Sequence, residues 1–330
     1  MSADFTAGLV AFLQRETGDA SVRVDGLRRV TGGASRETWS LDAEIEGERV
    51  PMILQRDVRG AAKEMSRAAE YELMRVAYEA GAMAPEPLFM GDGSLGGEFF
   101  IVRRVDGETL PRRLLRDAQW SAARIALTPQ LGAVLARIHA IDLRRLPALP
   151  RPMAGKNPAE HELDRYEAVY RAIAPEPHPA FELAIRFLRR NVPKANEALT
   201  LVHGDFRMGN VLFDESGLRL ILDWELAHAG DPAEDMAWMC VRSWRFGGAQ
   251  PVGGIGSREE FLAAYEAAGG ARVDAERVRW WEVYGNLRWG IICISQAKTH
   301  LDGIVNSMEL AAIGRRTAET EWELLQLIDG

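Results

Sequence analysis

Cysteine is nearly missing from this chain of 330 residues, which carries only Cys240 and Cys293, far apart and without C-x-x-C spacing. That scarcity excludes a disulfide framework and a cysteine zinc site, and it leaves both thiols as small buried hydrophobes. An excess of positive charge is missing too: 40 Lys and Arg face 48 Asp and Glu, a net charge of −8. A broad nucleic-acid footprint lacks the clustered cations it needs. The arginine pairs Arg103-Arg104, Arg112-Arg113 and Arg189-Arg190 are scattered among acids and read as solvated faces. No apolar run reaches the roughly 18 residues that span a bilayer. The opening stretch MSADFTAGLVAFLQRETGD is cut by Asp4, Gln14, Arg15 and Glu16, as in an amphipathic helix rather than a signal peptide. A cytoplasmic protein is expected, monomer or homodimer, with neither nucleic acid nor membrane as partner.

Several catalytic signatures are also absent. There is no G-x-S-x-G nucleophile elbow and no Walker loop. His139, His161, His178, His228 and His300 lack metal-ligand spacing. Gly91 to Gly96 fits G-x-G-x-x-G but runs into the apolar strand Glu98–Val102, whereas a dinucleotide fingerprint must open a helix.

What is present is ordinary globular composition, 47% hydrophobic and 27% charged, at a length that suggests two lobes. After the first helix, VRVDGLRRV and ETWSLDAEIEG read as strands joined by the turn Thr31–Arg36, and PMILQRD as a third. Residues 61–80 carry apolar positions at helical spacing and stop at Gly81, a C-terminal cap. Strands around PLFMG and EFFIVRRV follow. From Gly107 onward the pattern is mostly helical, broken by one β-hairpin at 211–223 and by Pro/Gly-rich stretches at 147–158 and 247–256. No internal repeat is visible. The expected architecture is α+β and two-lobed, with a small β-rich lobe over residues 1–104 and a larger α-rich lobe over 105–330. A nucleotide would sit in the cleft between them.

The chemistry concentrates in Leu201–Trp238, LVHGDFRMGNVLFDESGLRLILDWELAHAGDPAEDMAW. Asp205 and Asn210 stand five residues apart in a loop. The hairpin after them returns the chain so that Asp223 comes back near its start. Two carboxylates and an amide oxygen then converge, all hard oxygen ligands suited to Mg²⁺. Each alone is an everyday turn-former. Together they follow the phosphotransfer order of Asp, Asn five later, and a metal-binding Asp after a hairpin.

HGDFRMGN followed by LDWE resembles the HGD-x4-N and D-[FW]-[ED] signatures of the aminoglycoside/choline phosphotransferase family. TGGAS, Glu70-Tyr71, FFIVRRVDG and GDPAEDMAW extend the resemblance over most of the chain. It implies a protein-kinase-like fold that uses ATP and Mg²⁺ to phosphorylate a small-molecule acceptor. By that resemblance Asp205 is the catalytic base or hydroxyl-orienting carboxylate, and Asn210 and Asp223 hold Mg²⁺. His203 braces the loop, and Arg207 is placed like a phosphate-contacting lysine. Gly33 and Ser35 would approach the phosphates, or form an ordinary hairpin turn. Glu70 corresponds to the helix acid that pairs with a strand lysine. Arg103 and Arg104, at the lobe connection, join the candidates for nucleotide contact.

That strand lysine is lacking. Gln55 falls at its position and shares a face with Ile53, whereas Arg56 points the other way and could substitute only on a twisted or bulged strand. The gap leaves open a nucleotide-binding scaffold without turnover. A CoA-linked reading, a kinase domain directed at hydroxyacyl-CoA, is a further alternative. Asp231 before Pro232 reads as a helix cap and Asp235 as an anchor of the catalytic loop. On the helix Ala275–His300, Trp281, Tyr284 and Arg288 share one side, either as core or as a substrate wall. As a wall they favour a neutral or anionic acceptor over a polycationic aminoglycoside.

Overall fold

The structure, a computed structural model, describes residues 3–30, 36–57, 65–195 and 198–329. Gly33 and Ser35 therefore lie outside the described residues.

Helix α1 (Ala3–Thr17) packs its apolar side on a sheet of five strands: β1 (Arg23–Val30), β2 (Arg36–Ile45), β3 (Glu48–Asp57), β4 (Pro87–Met90) and β5 (Phe99–Arg103), in the order β1-β2-β3-β5-β4 and antiparallel at every pairing. Glu46 and Gly47 both take positive φ, 53° and 80°, in the two-residue turn joining β2 to β3. Alternation then divides the two strands cleanly. Trp39, Leu41, Ala43, Met52 and Leu54 face α1 in one core with Leu9, Phe12 and Leu13. Arg36, Thr38 and Ser40 pair with Asp57, Gln55 and Ile53 on the opposite face.

That opposite face meets α2 (Arg67–Glu79), capped by Ser66, whose hydroxyl accepts from the Ala69 amide at 3.2 Å. Residues 61–64 of the expected helix lie outside the described residues, Met65 and Ser66 precede it, and Gly81 follows its Ala80 cap at φ 70°. Beyond β5 come α3 (Pro111–Arg116), α4 (Ser121–His139), α5 (Pro158–Ile173) and α6 (Pro179–Arg190), then β6 (Thr200–Val202), β7 (Val211–Asp214), β8 (Gly217–Ile221) and β9 (His228–Gly230). The chain closes with α7 (Ala233–Cys240), α8 (Arg258–Ala267), α9 (Ala275–Leu301), α10 (Met308–Gly314) and α11 (Thr317–Asp329). One large apolar cluster joins α2 to these helices. Both cysteines are buried and unpaired.

The helical part was expected to hold a single hairpin, β7–β8. It also has a two-stranded ribbon in which Leu201 pairs with Ala229 and Val202 with His228. Three-residue strands are too short to leave an alternation pattern. Among the described residues no helix is long and apolar enough to cross a membrane.

Candidate active site

The β6–β9 ribbon sets the site, because the loop 203–210 leaves its β6 end while α7 starts just beyond β9. Asp235 in the first turn of α7 thereby lies under the loop. Its carboxylate accepts from the His203 amide at 2.7 Å, the Gly204 amide at 3.0 Å and His139 Nε2 at 3.2 Å. Burial works against that charge, yet the His139 hydrogen bond and its companions leave the Asp235 carboxyl below its ordinary pKa. Gly204 has φ 80°, and a Cβ there would meet the Leu226 carbonyl oxygen at 2.3 Å, so the backbone admits only glycine. His203 packs its ring 4.6 Å from that of Trp224, and its Nδ1 accepts from the Asp205 amide at 3.2 Å. Burial lowers its pKa, so the ring is neutral.

Asp205 is held from three sides. Trp238 Nε1 donates to Oδ1 at 2.8 Å, Arg207 Nε lies 3.0 Å from Oδ1 and 3.1 Å from Oδ2, and Asn210 Nδ2 donates to Oδ2 at 2.6 Å. With its nitrogen used there, Asn210 has its amide oxygen left for a cation. The hairpin then does what its length implied: Val211 pairs with Ile221, and the Leu222 amide donates to the Asn210 carbonyl at 2.8 Å. Asp223 follows at once, at φ 68°. A non-glycine residue in that region is held there by its surroundings, at a cost of about 1–2 kcal/mol.

Arg36, at the start of β2, was not singled out from the sequence. Its Nη1 lies 3.2 Å from both Glu70 Oε1 and Asp223 Oδ1 and 3.5 Å from Gln55 Oε1, and its Nη2 pairs with Glu225. Its Nε is buried without a partner among the described residues. Arg67 pairs with Glu70 and Asp57 from α2. The carboxyls of Glu70, Asp223 and Glu225 are all pushed above their ordinary pKa values, first by burial, and the charges of their acidic neighbours add to the rise against the pull of Arg36. Carboxylates thus outnumber cations here. That donor set fits a divalent cation, and the orphaned Arg36 Nε fits an anionic oxygen. Among the described residues no three His, Cys, Asp or Glu side chains form a metal cluster. The Asn210–Asp223 pair would need phosphate or water oxygens to complete a shell.

The remaining candidates divide. Gln55 lies on the Arg36 face, whereas Arg56 turns to Glu37 and the Leu95 carbonyl under the Phe5 ring, 4.9 Å away, on the α1 side. Arg56 is therefore not the missing cation, because β3 alternates without a bulge there. Arg103 is paired with Glu86, and Arg104 with Ser40, the Leu41 carbonyl and Asp42. Trp281, Tyr284 and Arg288 form no wall of an open cleft, since each is only 1% exposed. Trp281 donates to Asp231 at 2.9 Å and Tyr284 to Glu162 at 3.0 Å. Arg288 reaches Glu234 at 3.0 Å and the Gly204 carbonyl and the Tyr166 hydroxyl at 3.1 Å. α9 is packed on nearly all sides, so a shared face could not reveal which neighbour it meets. Asp231 lies just before Pro232, which takes the cap position of α7, and accepts from the Ala233 amide at 3.0 Å.

Comparison with known proteins places this geometry in context. A Ralstonia eutropha JMP134 structure, provisionally named an aminoglycoside phosphotransferase, superposes with a TM-score of 0.77 over 98% of both chains at 20% identity. The aminoglycoside phosphotransferase APH(4)-Ia, crystallised with AMP-PNP and hygromycin B, gives 0.63 over 98% of both at 19% identity. The fold is the kinase-like fold of these enzymes. Among curated proteins, acyl-CoA dehydrogenase family member 11 of Gallus gallus is 33% identical over 177 residues, 51% of this chain and 22% of that protein. The Homo sapiens protein of that name is 28% identical over 208 residues, 59% of this chain and 26% of its own length. The matched stretch spans about a quarter or less of these relatives. The profile of the phosphotransferase enzyme family matches residues 26–281, and the chain belongs to that family.

Proposed function

We propose that this chain transfers the γ-phosphate of ATP to a hydroxyl of a small molecule in an Mg²⁺-dependent reaction. The observation that carries the reading is the convergence of Asp205, Asn210 and Asp223 through one loop and one hairpin. Phosphoryl transfer asks for alignment and charge neutralisation more than for covalent help. Asp223 and the Asn210 amide oxygen would hold Mg²⁺, which neutralises charge on the phosphates. Asp205 orients the acceptor hydroxyl and takes its proton, and Arg207 at its side contacts the transferred group. Residues 1–104 serve as the nucleotide lobe, with Gly33 and Ser35 at the phosphates, and residues 105–330 carry catalysis and acceptor.

Arg36 acts as the phosphate-side cation that Gln55 cannot be, paired with Glu70 as a strand lysine would be. The scaffold reading rested on that gap, and with Arg36 there it loses its support. A second reading, a kinase domain directed at hydroxyacyl-CoA, is favoured by the name of the acyl-CoA dehydrogenase relatives. The test is an ATP-consumption screen with Mg²⁺ over alcohols, hydroxy acids, sugars and hydroxyacyl thioesters. Asp205→Asn is expected to lower turnover by about 10²–10⁴-fold and to leave Mg·ATP affinity within a few-fold. Undiminished turnover of that variant with the acceptor found would remove Asp205 from its role.

A further inference from the structure

An acceptor needs a seat, and the Trp281, Tyr284 and Arg288 side of α9 does not offer one. A cavity of about 1100 Å³ lies between the start of α3, the 242–249 segment and helices α9 and α11. It is large enough for a metabolite-sized ligand. It adjoins the catalytic loop through aromatic contacts. Arg207 Cζ lies 4.6 Å from the Trp244 ring, Trp244 lies 5.4 Å from Trp238, and Trp238 donates to Asp205. Arg242, Ser243 and Arg245, the neighbours of Trp244, line the cavity.

Its charge runs against the rest of the chain. Four arginines, Arg112, Arg242, Arg245 and Arg316, line it against two acids, Glu319 and Glu323, in a protein whose net charge is −8. Arg245 is committed inward to the Cys240 carbonyl and Glu282. The other three are held less firmly. Arg112 is exposed and has no partner among the described residues. Arg242 reaches Glu323 only at 3.4 Å with its side chain 57% exposed, and Arg316 reaches Glu319 at 3.3 Å. Well-formed guanidinium–carboxylate bonds are shorter, about 2.7–2.9 Å. Trp322, 50% exposed, adds a flat apolar surface with the Arg242 guanidinium 4.8 Å from its ring.

We infer that this cavity seats the acceptor by an anionic group, phosphate or carboxylate, gripped by Arg112, Arg242 and Arg316. Guanidinium forks match either anion in two-point geometry, and an aromatic floor suits the adjoining carbon skeleton. A polycationic acceptor would meet like charge here. The ligand's role as acceptor rests on the phosphotransfer reading, whereas anion binding stands or falls separately.

The test is titration of the intrinsic tryptophan fluorescence of the full chain, with the nucleotide site filled by Mg·AMP-PNP, against glycerol 3-phosphate, citrate and uncharged glycerol. Saturable binding of at least one anion is expected, the stronger of the two telling phosphate from carboxylate, with none for glycerol. Arg112→Gln/Arg242→Gln should weaken that binding by about tenfold to a hundredfold, and Arg112→Lys/Arg242→Lys by less. Should the double Gln variant fail to fold, the exposed Arg112→Gln single variant carries the comparison. Equal binding by the Gln variants, or no saturable binding of either anion, would overturn the inference. Calorimetric titration of the unaltered chain with Mg·ATP tests the phosphotransfer reading by itself.

Discussion

Replacing Arg36 by methionine keeps much of its bulk and removes its charge from between Glu70 and Asp223, each 3.2 Å from Nη1, and from Glu225. Taking one partner from a buried ion pair leaves uncompensated charge and costs about 3–5 kcal/mol. Burial raises the pKa of all three carboxyls, which eases uptake of a proton once the guanidinium is gone and holds the loss toward the lower end, about 3 kcal/mol. Affinity for Mg·ATP should fall further than stability alone explains, because a charge-assisted bond to phosphate is worth about 1.5–3 kcal/mol, roughly tenfold to a hundredfold in Kd. The decisive arm is Arg36→Met/Gln55→Lys. Gln55 Oε1 lies 3.5 Å from Arg36 Nη1 on the same sheet face, so a lysine there brings an ammonium to Glu70. The double variant should recover most of the lost affinity. Gln55→Lys alone sets two cations side by side and should gain little. Calorimetry with Mg·ATP and a melting curve for each variant read both effects. The reasoning fails if Arg36→Met binds Mg·ATP like the parent, or if the added lysine restores nothing.

His228 predicts a pH dependence. Burial opposes its charge, but the Glu234 carboxylate beside it, with Glu162, raises its pKa from 6.5 to about 9. A folded-state pKa above the unfolded one means that its stabilisation, about 3 kcal/mol, is fully present below pH 6.5 and is lost as pH rises through 9. Denaturant melts of His228→Gln should lose part of that alkaline decline, and an unchanged slope would refute the assignment. Asp235→Asn should lower kcat by at least about tenfold, with nucleotide KM little changed, because an amide cannot accept from both loop N–H groups and His139 as a carboxylate does. A parallel rise in KM would argue for general loosening instead. Gly204→Ala should cost more than about 3 kcal/mol, since it combines positive φ with a backbone clash, and a Tm within a degree of the parent would contradict that.

The sequence exposed what is local in the chain and concealed what tertiary pairing assembles. Asp205, Asn210 and Asp223 lie within one loop and one hairpin, so their convergence could be worked out from turn geometry alone. The sheet face of Gln55 followed from alternation along β3. Arg36 stands 34 residues from Glu70 and 189 from Glu225, and nothing local marks a strand-edge arginine as a site residue. The signal was there in hindsight, because Arg36 alternates with Thr38 and Ser40 against the apolar Trp39 and Leu41. Arg288 misled for the opposite reason. A guanidinium beside aromatics suggests a ligand contact, but only packing reveals that Glu234, Tyr166 and Gly204 already satisfy it.

The burial of Arg288 also gives α9 a part in the site that a substrate wall would not. Gly204 is held at both of its backbone groups, its N–H by Asp235 and its C=O by Arg288. Arg288 is in turn fixed by Glu234, the neighbour of Asp235 on α7. A loop with a left-handed glycine at its bend has no regular ladder to hold it, so its backbone groups need partners from elsewhere. Here buried charges supply them, and burial makes them strong because no water competes. The aspartate one residue beyond Gly204 therefore inherits its position from α7 and α9 rather than from its own loop. Phosphoryl transfer rewards that arrangement, because alignment to within a fraction of an ångström matters more than the basicity of the carboxylate.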